Sequence, residues 1–200
     1  MAKIYMAELS PTKQELLERW VPARPWGAGA FRMIGAYRFD DPAGEVGIET
    51  HLLQAGDRVL QVPLTYRGAP LAGADAALIT TMQHSVLGTR WIYDGCADPV
   101  YVAALLAVMA SEVAQAEEWV ERADGPARRE SPVRVAGNGG RPSVTWGPGV
   151  SAPVDDAVAT VIGDGLVVCR VVGATPPAAG PVLTGTWPGR DAPAVLAFAR

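Results

Sequence analysis

The densest chemistry in this chain lies in His84-Ser-Val-Leu-Gly-Thr-Arg90-Trp91-Ile-Tyr93-Asp94-Gly-Cys96. An imidazole, a carboxylate and a hydroxyl or thiol so close together are the parts of nucleophilic catalysis. In that arrangement His84 is the base, Asp94 orients it, and Ser85 or Cys96 is the nucleophile. A hydrolase or transferase would follow. The same residues also suit a purely structural role, with His84 along a sheet, Trp91 and Tyr93 in the core or at its rim, and Arg90 paired with Asp94. No second acid and no recognisable oxyanion loop accompanies the set, so the structural arrangement is expected and no catalytic residue is assigned.

Binding is the other chemistry open to these side chains. Trp20, Trp26, Trp91 and Tyr66 are aromatics of the kind that stack on sugars, and beside arginine they also anchor protein interfaces. Core packing is expected for Trp20 and Trp91. Trp26, in a Pro/Gly loop, is the best candidate for exposure. The candidate ligand or partner surface is therefore Trp26, Tyr66, His84, Arg90, Trp91, Tyr93 and Asp94. His51, alone in a strand, is expected to be structural. Asp155, Asp156, Asp164 and Asp191 read as turn acids whose spacing matches no calcium loop. Cys96 and Cys169 lack a CxxC and read as two buried thiols. No metal and no cofactor is expected.

The elements that must position these residues centre on Val59–Arg122. Asp98-Pro99 starts a helix, with Asp accepting from a first-turn amide and Pro where no donor is needed. Val102, Leu105, Met109, Val113, Ala116 and Val120 follow at spacings of one helical face. Glu118 and Arg122 are ordered for an i,i+4 pair, and Gly125-Pro126 ends the run. A helix over 98–122 would span roughly 35 Å at about 1.5 Å per residue. The stripe is expected to seat on a sheet of the same chain, being short for a coiled coil. Arg58–Tyr66 and Ala77–Leu87 read as strands, and Pro63 places the first at an edge or a bulge. Gly88–Gly95 is a short strand or turn entering the helix.

Upstream, Ala2–Glu8 reads as a strand, and Thr12 with Glu15 has capping-box spacing for a short helix that Pro22 and Pro25 end. Strands at Phe31–Phe39 and Val46–Gln54 flank the turn Asp40-Asp-Pro-Ala-Gly44. Beyond Gly125 the chain reads as strands: Val133–Ala136, Ser143–Trp146, Val158–Ile162, Leu166–Val172, Val182–Trp187 and Ala194–Ala199. Gly163-Asp-Gly165 is the strongest hairpin signal among them. The expected fold class is α+β: a curved antiparallel sheet cradling one long helix, with an additional C-terminal β-meander. Residues 1–125 form the α+β unit. Residues 126–200 are a β-rich extension packed on that sheet or continuing it, in one compact domain.

Composition narrows the function classes. The 200 residues carry a net charge of −4 with a pI near 5.2, against a nucleic-acid binder's basic footprint. No apolar run of membrane-spanning length and no signal-peptide pattern is present, so a cytoplasmic location is expected. Lys3 and Lys13 are the only lysines, so nearly every other basic contact is a guanidinium, suited to bidentate carboxylate or phosphate pairing.

Three segments together resemble a known family: Trp20-Val-Pro-Ala-Arg-Pro-Trp26, Val62-Pro-Leu-Thr-Tyr66, and Tyr93-Asp-Gly-Cys-Ala-Asp-Pro99 leading into a helix. They are similar to the N-terminal cap domain of actinobacterial maltokinases, and the whole chain resembles stand-alone cap-like proteins. The resemblance implies a cystatin-like cap that precedes a kinase lobe. Phosphoryl transfer needs a phosphate-pairing Lys, a catalytic Asp and metal-binding acids. Neither His51 nor His84 begins a His-x-Asp pattern, GxxxxGK[ST] is absent, and Gly137-Asn-Gly-Gly140 lacks phosphate-loop spacing. The expected function is a non-catalytic accessory or regulatory module acting by protein contact, its partner a sugar kinase or another enzyme of trehalose, maltose or glycogen metabolism. The alternative is a small-ligand protein, holding a sugar or sugar phosphate on the concave sheet face. Self-association through an edge strand or the Trp119 side is a further expectation.

Overall fold

The computed structural model describes residues 2–122, 124–147, 152–175 and 179–200. The chain opens with β1 (Ala2–Tyr5), β2 (Leu9–Ser10) and α1 (Lys13–Trp20). The capping box forms at α1: Thr12 Oγ1 accepts from Glu15 N, and Glu15 Oε2 accepts from Thr12 N. A meander follows through β3 (Arg32–Phe39), β4 (Gly47–Ala55), β5 (Arg58–Arg67), β6 (Leu78–His84) and β7 (Gly88–Asp94). These strands build a six-stranded antiparallel sheet in the order β2-β6-β7-β5-β4-β3. The β3–β4 turn is wired by Asp41, whose carboxylate accepts from the amides of Ala43, Glu45 and Val46.

Pro63 lies inside β5, between β4 and β7, rather than at the sheet's edge. Its missing donor is tolerated because that side of β5 changes partner there. Gln61 N donates to Arg170 O and Val172 N donates to Val59 O, while pairing with β7 begins at Leu64. Backbone groups two residues apart face the same edge, so Pro63 falls in the gap between the two partners.

The helix α2 (Pro99–Met109) starts where the sequence places it. Asp98 Oδ1 accepts from Val100 N at 2.9 Å, and Arg67 clasps the same buried carboxylate with two bonds of 2.7 Å. It stops early. The helix has 11 residues, and Ser111 turns left-handed (φ 56°), so the long helix expected to Arg122 does not form. Residues Glu118–Glu121 are instead strand β8, parallel to β1 and antiparallel to β9 (Ala127–Arg129). Glu118 pairs with Arg129 at 2.6 Å rather than with Arg122. Helical spacing at Val113, Ala116 and Val120 misleads because Ala116 N donates to Arg38 O and ties this segment to β3.

The remaining strands are β10 (Arg134–Gly137), β11 (Val154–Asp155), β12 (Ala159–Ile162), β13 (Leu166–Cys169), β14 (Val182–Trp187) and β15 (Arg190–Ala199). They form a second six-stranded antiparallel sheet, β10-β14-β15-β13-β12-β11, rather than extending the first. Gly163-Asp-Gly165 makes the β12–β13 hairpin. Ser143–Trp146 is not a strand; Thr145 N donates to Asp164 Oδ1. Between the sheets lies α2. Its Tyr101, Val102, Leu105, Val108 and Met109 share one buried cluster with Tyr37, Phe39, Ile48 and Leu52 of the first sheet and Leu166, Val168, Leu183 and Leu196 of the second. This explains why α2 is apolar all round: a helix covered on both sides needs no polar face. At its C-terminus Gly139 N donates to Met109 O. A side chain at Gly137 would put its Cβ 2.2 Å from Val108 O, so Gly137-Asn-Gly-Gly140 is a helix-docking segment.

One buried cation fastens the layers. Arg170, fully buried after β13, donates to Thr160 Oγ1 at 2.6 Å and to Asp94 Oδ2 at 2.5 Å. Its guanidinium lies 4.7 Å over the Trp26 ring. Replacing Arg170 with Met strands the Asp94 charge and is expected to cost about 3–5 kcal/mol. Adding Asp94→Asn, which keeps the acceptor for Cys96 N, should recover part of that loss. Urea unfolding of the two variants measures both effects, and a loss under about 1 kcal/mol for R170M would refute the role.

Candidate functional site

The two faces of the first sheet differ in chemistry. Alternation along β4 sends Ile48 and Leu52 towards α2, and Glu49, His51 and Leu53 towards α1. On the α1 face, Glu49 is 3% exposed, yet it accepts from Lys13 Nζ at 2.5 Å, Arg38 Nη2 at 2.6 Å and Tyr66 Oη at 3.2 Å. His51 Nε2 stands 3.4 Å from it. Burial pushes the Glu49 carboxyl up, but the charges of Arg38, His51 and Lys13 outweigh it and hold the acid well below its ordinary range. Burial also lowers the Lys13 ammonium against the pull of Glu49. The Tyr66 phenol is raised, first by burial and then by the Glu49 charge.

This cluster floors a cavity of about 440 Å³. One wall is the β3–β4 turn, and the other is the end of the β6–β7 hairpin with His84, Leu87 and Arg90. The N-terminal arm, with Lys3 and Tyr5, also lines it. The Tyr5 ring meets the His84 ring edge-on at 5.9 Å. His84 Nδ1 accepts from the amides of Val86 and Leu87 at 3.2 and 3.1 Å, which leaves the proton of the neutral ring on Nε2. Burial, then Arg90, lowers its pKa.

Of the candidate residues, Tyr66, His84 and Arg90 come together on this cavity. Trp91 and Tyr93 lie on the opposite face of β7; Tyr93 is buried and its Oη accepts from Leu71 N. Trp26 was the best candidate for exposure, but it is fully buried, because the Arg170 guanidinium and the Trp20 ring cover it. Asp94 pairs with Arg170, not with Arg90, whose Nη2 donates to Leu87 O. Nor does Asp94 orient His84. Cys96 is buried, and burial keeps its thiol protonated, well above the ordinary value. The parts of the nucleophilic reading are thus held by other partners. The polar centre that sequence inspection missed is Lys13, Arg38 and Glu49. A period-two pattern putting Glu49 and His51 on the same face as Leu53 was the available signal.

Residues 19–98 match the family model described as the maltokinase N-terminal cap domain. The resemblance to that family is therefore real. It covers less than half of the 200 residues. No curated protein matches the chain. The matched segment contains Arg38, Glu49, Tyr66, His84 and Arg90, whereas Lys13 and Arg170, which complete the two buried charge clusters, lie outside it. No helix among the described residues is long and apolar enough to cross a membrane.

Replacing Glu49 with Gln leaves Arg38 and Lys13 buried without their counter-charge and is expected to cost about 3 kcal/mol at neutral pH. The folded Glu49 pKa lies below the ordinary 4.5, so its contribution is present above that value and is lost as pH falls through the folded one. The stability gap between wild type and E49Q, followed by urea unfolding, should accordingly shrink with acidification below about pH 4. For His84, nitrogen NMR should find Nε2 protonated and a titration midpoint below about 6.5; a higher midpoint or the other tautomer would contradict the geometry.

Proposed function

We propose that this chain works as a non-catalytic accessory module that acts by protein contact, as the resemblance of residues 19–98 to a maltokinase cap implies. That resemblance is the observation that carries the reading. The partner would be a sugar kinase or another enzyme of trehalose, maltose or glycogen metabolism. The antiparallel sheet packed around α1 is the part we equate with the cystatin-like cap; α2 and the C-terminal sheet, packed with it, complete one unit spanning 1–125 and 126–200.

A contact surface is offered beside the arm. Glu8 N donates to Ser85 Oγ, and Ser85 N donates to Glu8 O, which brings the N-terminal arm against the β6–β7 turn. There Met6 and Val86 are 81% and 57% exposed. Large apolar side chains kept in water beside a cap-like sheet suit docking on another protein. Affinity capture from the source cells should retain a sugar kinase or a glycogen or trehalose enzyme on the wild-type chain. The M6E/V86E variant should lose it. Finding no specific protein, or the same protein equally on both chains, would refute the reading.

A further inference from the structure

The cavity on the α1 face is balanced in charge as a whole but not wall by wall. Four carboxylates and four cations line it. One cation, Lys3 on the arm, already pairs with Glu121. Of the other three, Lys13 and Arg38 lie on the floor, where they share the single carboxylate Glu49. Arg90 stands on the hairpin wall and gives Nη2 to a neutral acceptor, Leu87 O. The remaining carboxylates all belong to the β3–β4 turn, which contains no Lys or Arg. Asp41 spends both oxygens on the amides of that turn but keeps its charge. Glu45 is exposed and its carboxylate has no hydrogen bond or ion pair among the described residues. A simple anion in this cavity would face the carboxylates of the turn, and a simple cation would face Arg90 and the floor. A ligand that carries both charges and is neutral overall meets neither penalty.

We propose that this cavity binds a free amino acid as its zwitterion, the carboxylate towards Arg90 and Lys13 and the ammonium towards Glu45. Guanidinium and ammonium donors match carboxylate oxygens, and Lys13 spends only one of its three hydrogens on Glu49. Leu9, Val46, Met82 and Leu87 supply apolar lining for an aliphatic side chain, and the volume of about 440 Å³ suits a compact metabolite. Glu49 then has a definite part: it holds Lys13 and Arg38 in place beneath the ligand. The binding needs no protein partner, so it stands or falls independently of the accessory-module reading.

Isothermal titration of the full chain at neutral pH and low ionic strength tests this with three probes of one carbon skeleton. They are leucine, isocaproate, which lacks the ammonium, and isoamylamine, which lacks the carboxylate. Leucine should bind, with each single-charge analogue weaker by about tenfold or more. R90M should weaken leucine binding by about tenfold or more, while R134M, a change at an exposed arginine, should leave it intact. E45Q should weaken it by about threefold or more, the smaller effect of an exposed partner, and serves as the test if R90M unfolds the chain. No heat with leucine up to about 10 mM overturns the proposal. So does either analogue binding as tightly as leucine, or a folded R90M or E45Q chain that binds leucine normally.

Discussion

A charge removed from water must find its partners inside the protein, and Arg170 shows how much structure that requirement organises. Its guanidinium has Asp94 from the end of the first sheet, Thr160 from the second, and the Trp26 ring from the loop after α1. Burial alone would lower its pKa, but the Asp94 charge outweighs that and keeps it protonated. Flanking backbone groups continue the tie, because Gln61 N donates to Arg170 O and Leu60 bridges Val171. Three segments distant in the chain meet at this one group, and Asp94 supplies the counter-charge whose loss would leave it uncompensated.

Around that tie the hydrophobic layers follow. The α2 helix is apolar on every side and is stable only because a sheet lies on each flank. Its N-terminus is held by Asp98, which caps it and also takes the Arg67 fork. Its C-terminus is received by Gly137 and Gly139 from the second sheet. Neither sheet therefore owns the helix, and the core cluster runs without a break from Tyr37 to Leu196.

The Glu49 cluster is the counterpart on the first sheet, with one difference. Arg170 is sealed by aromatic and apolar groups, whereas Lys13 and Tyr66 remain partly open to a cavity. A closed ion pair holds a fold together, but an open one keeps charge and donors within reach of another molecule. The cap-like segment supplies Arg38, Glu49, Tyr66 and Arg90, and only Lys13 comes from α1 before it.

By itself the sequence determined what depends on near neighbours. The Thr12–Glu15 capping box, the Asp98-Pro99 helix start, the Asp41 turn and the Gly163–Gly165 hairpin all form as read, because each is settled by contacts within a few residues. Three fragments also sufficed to reveal the maltokinase cap resemblance. Tertiary structure decided the rest. Val113, Ala116 and Val120 keep helical spacing, yet the chain leaves the helix at Ser111 because β1 and β3 offer this segment backbone partners. Trp26 is buried because a guanidinium from the far end of the chain covers it, and Asp94 passes over nearby Arg90 for Arg170. Partners of this kind are set by which faces meet in space, and local spacing carries no record of that meeting.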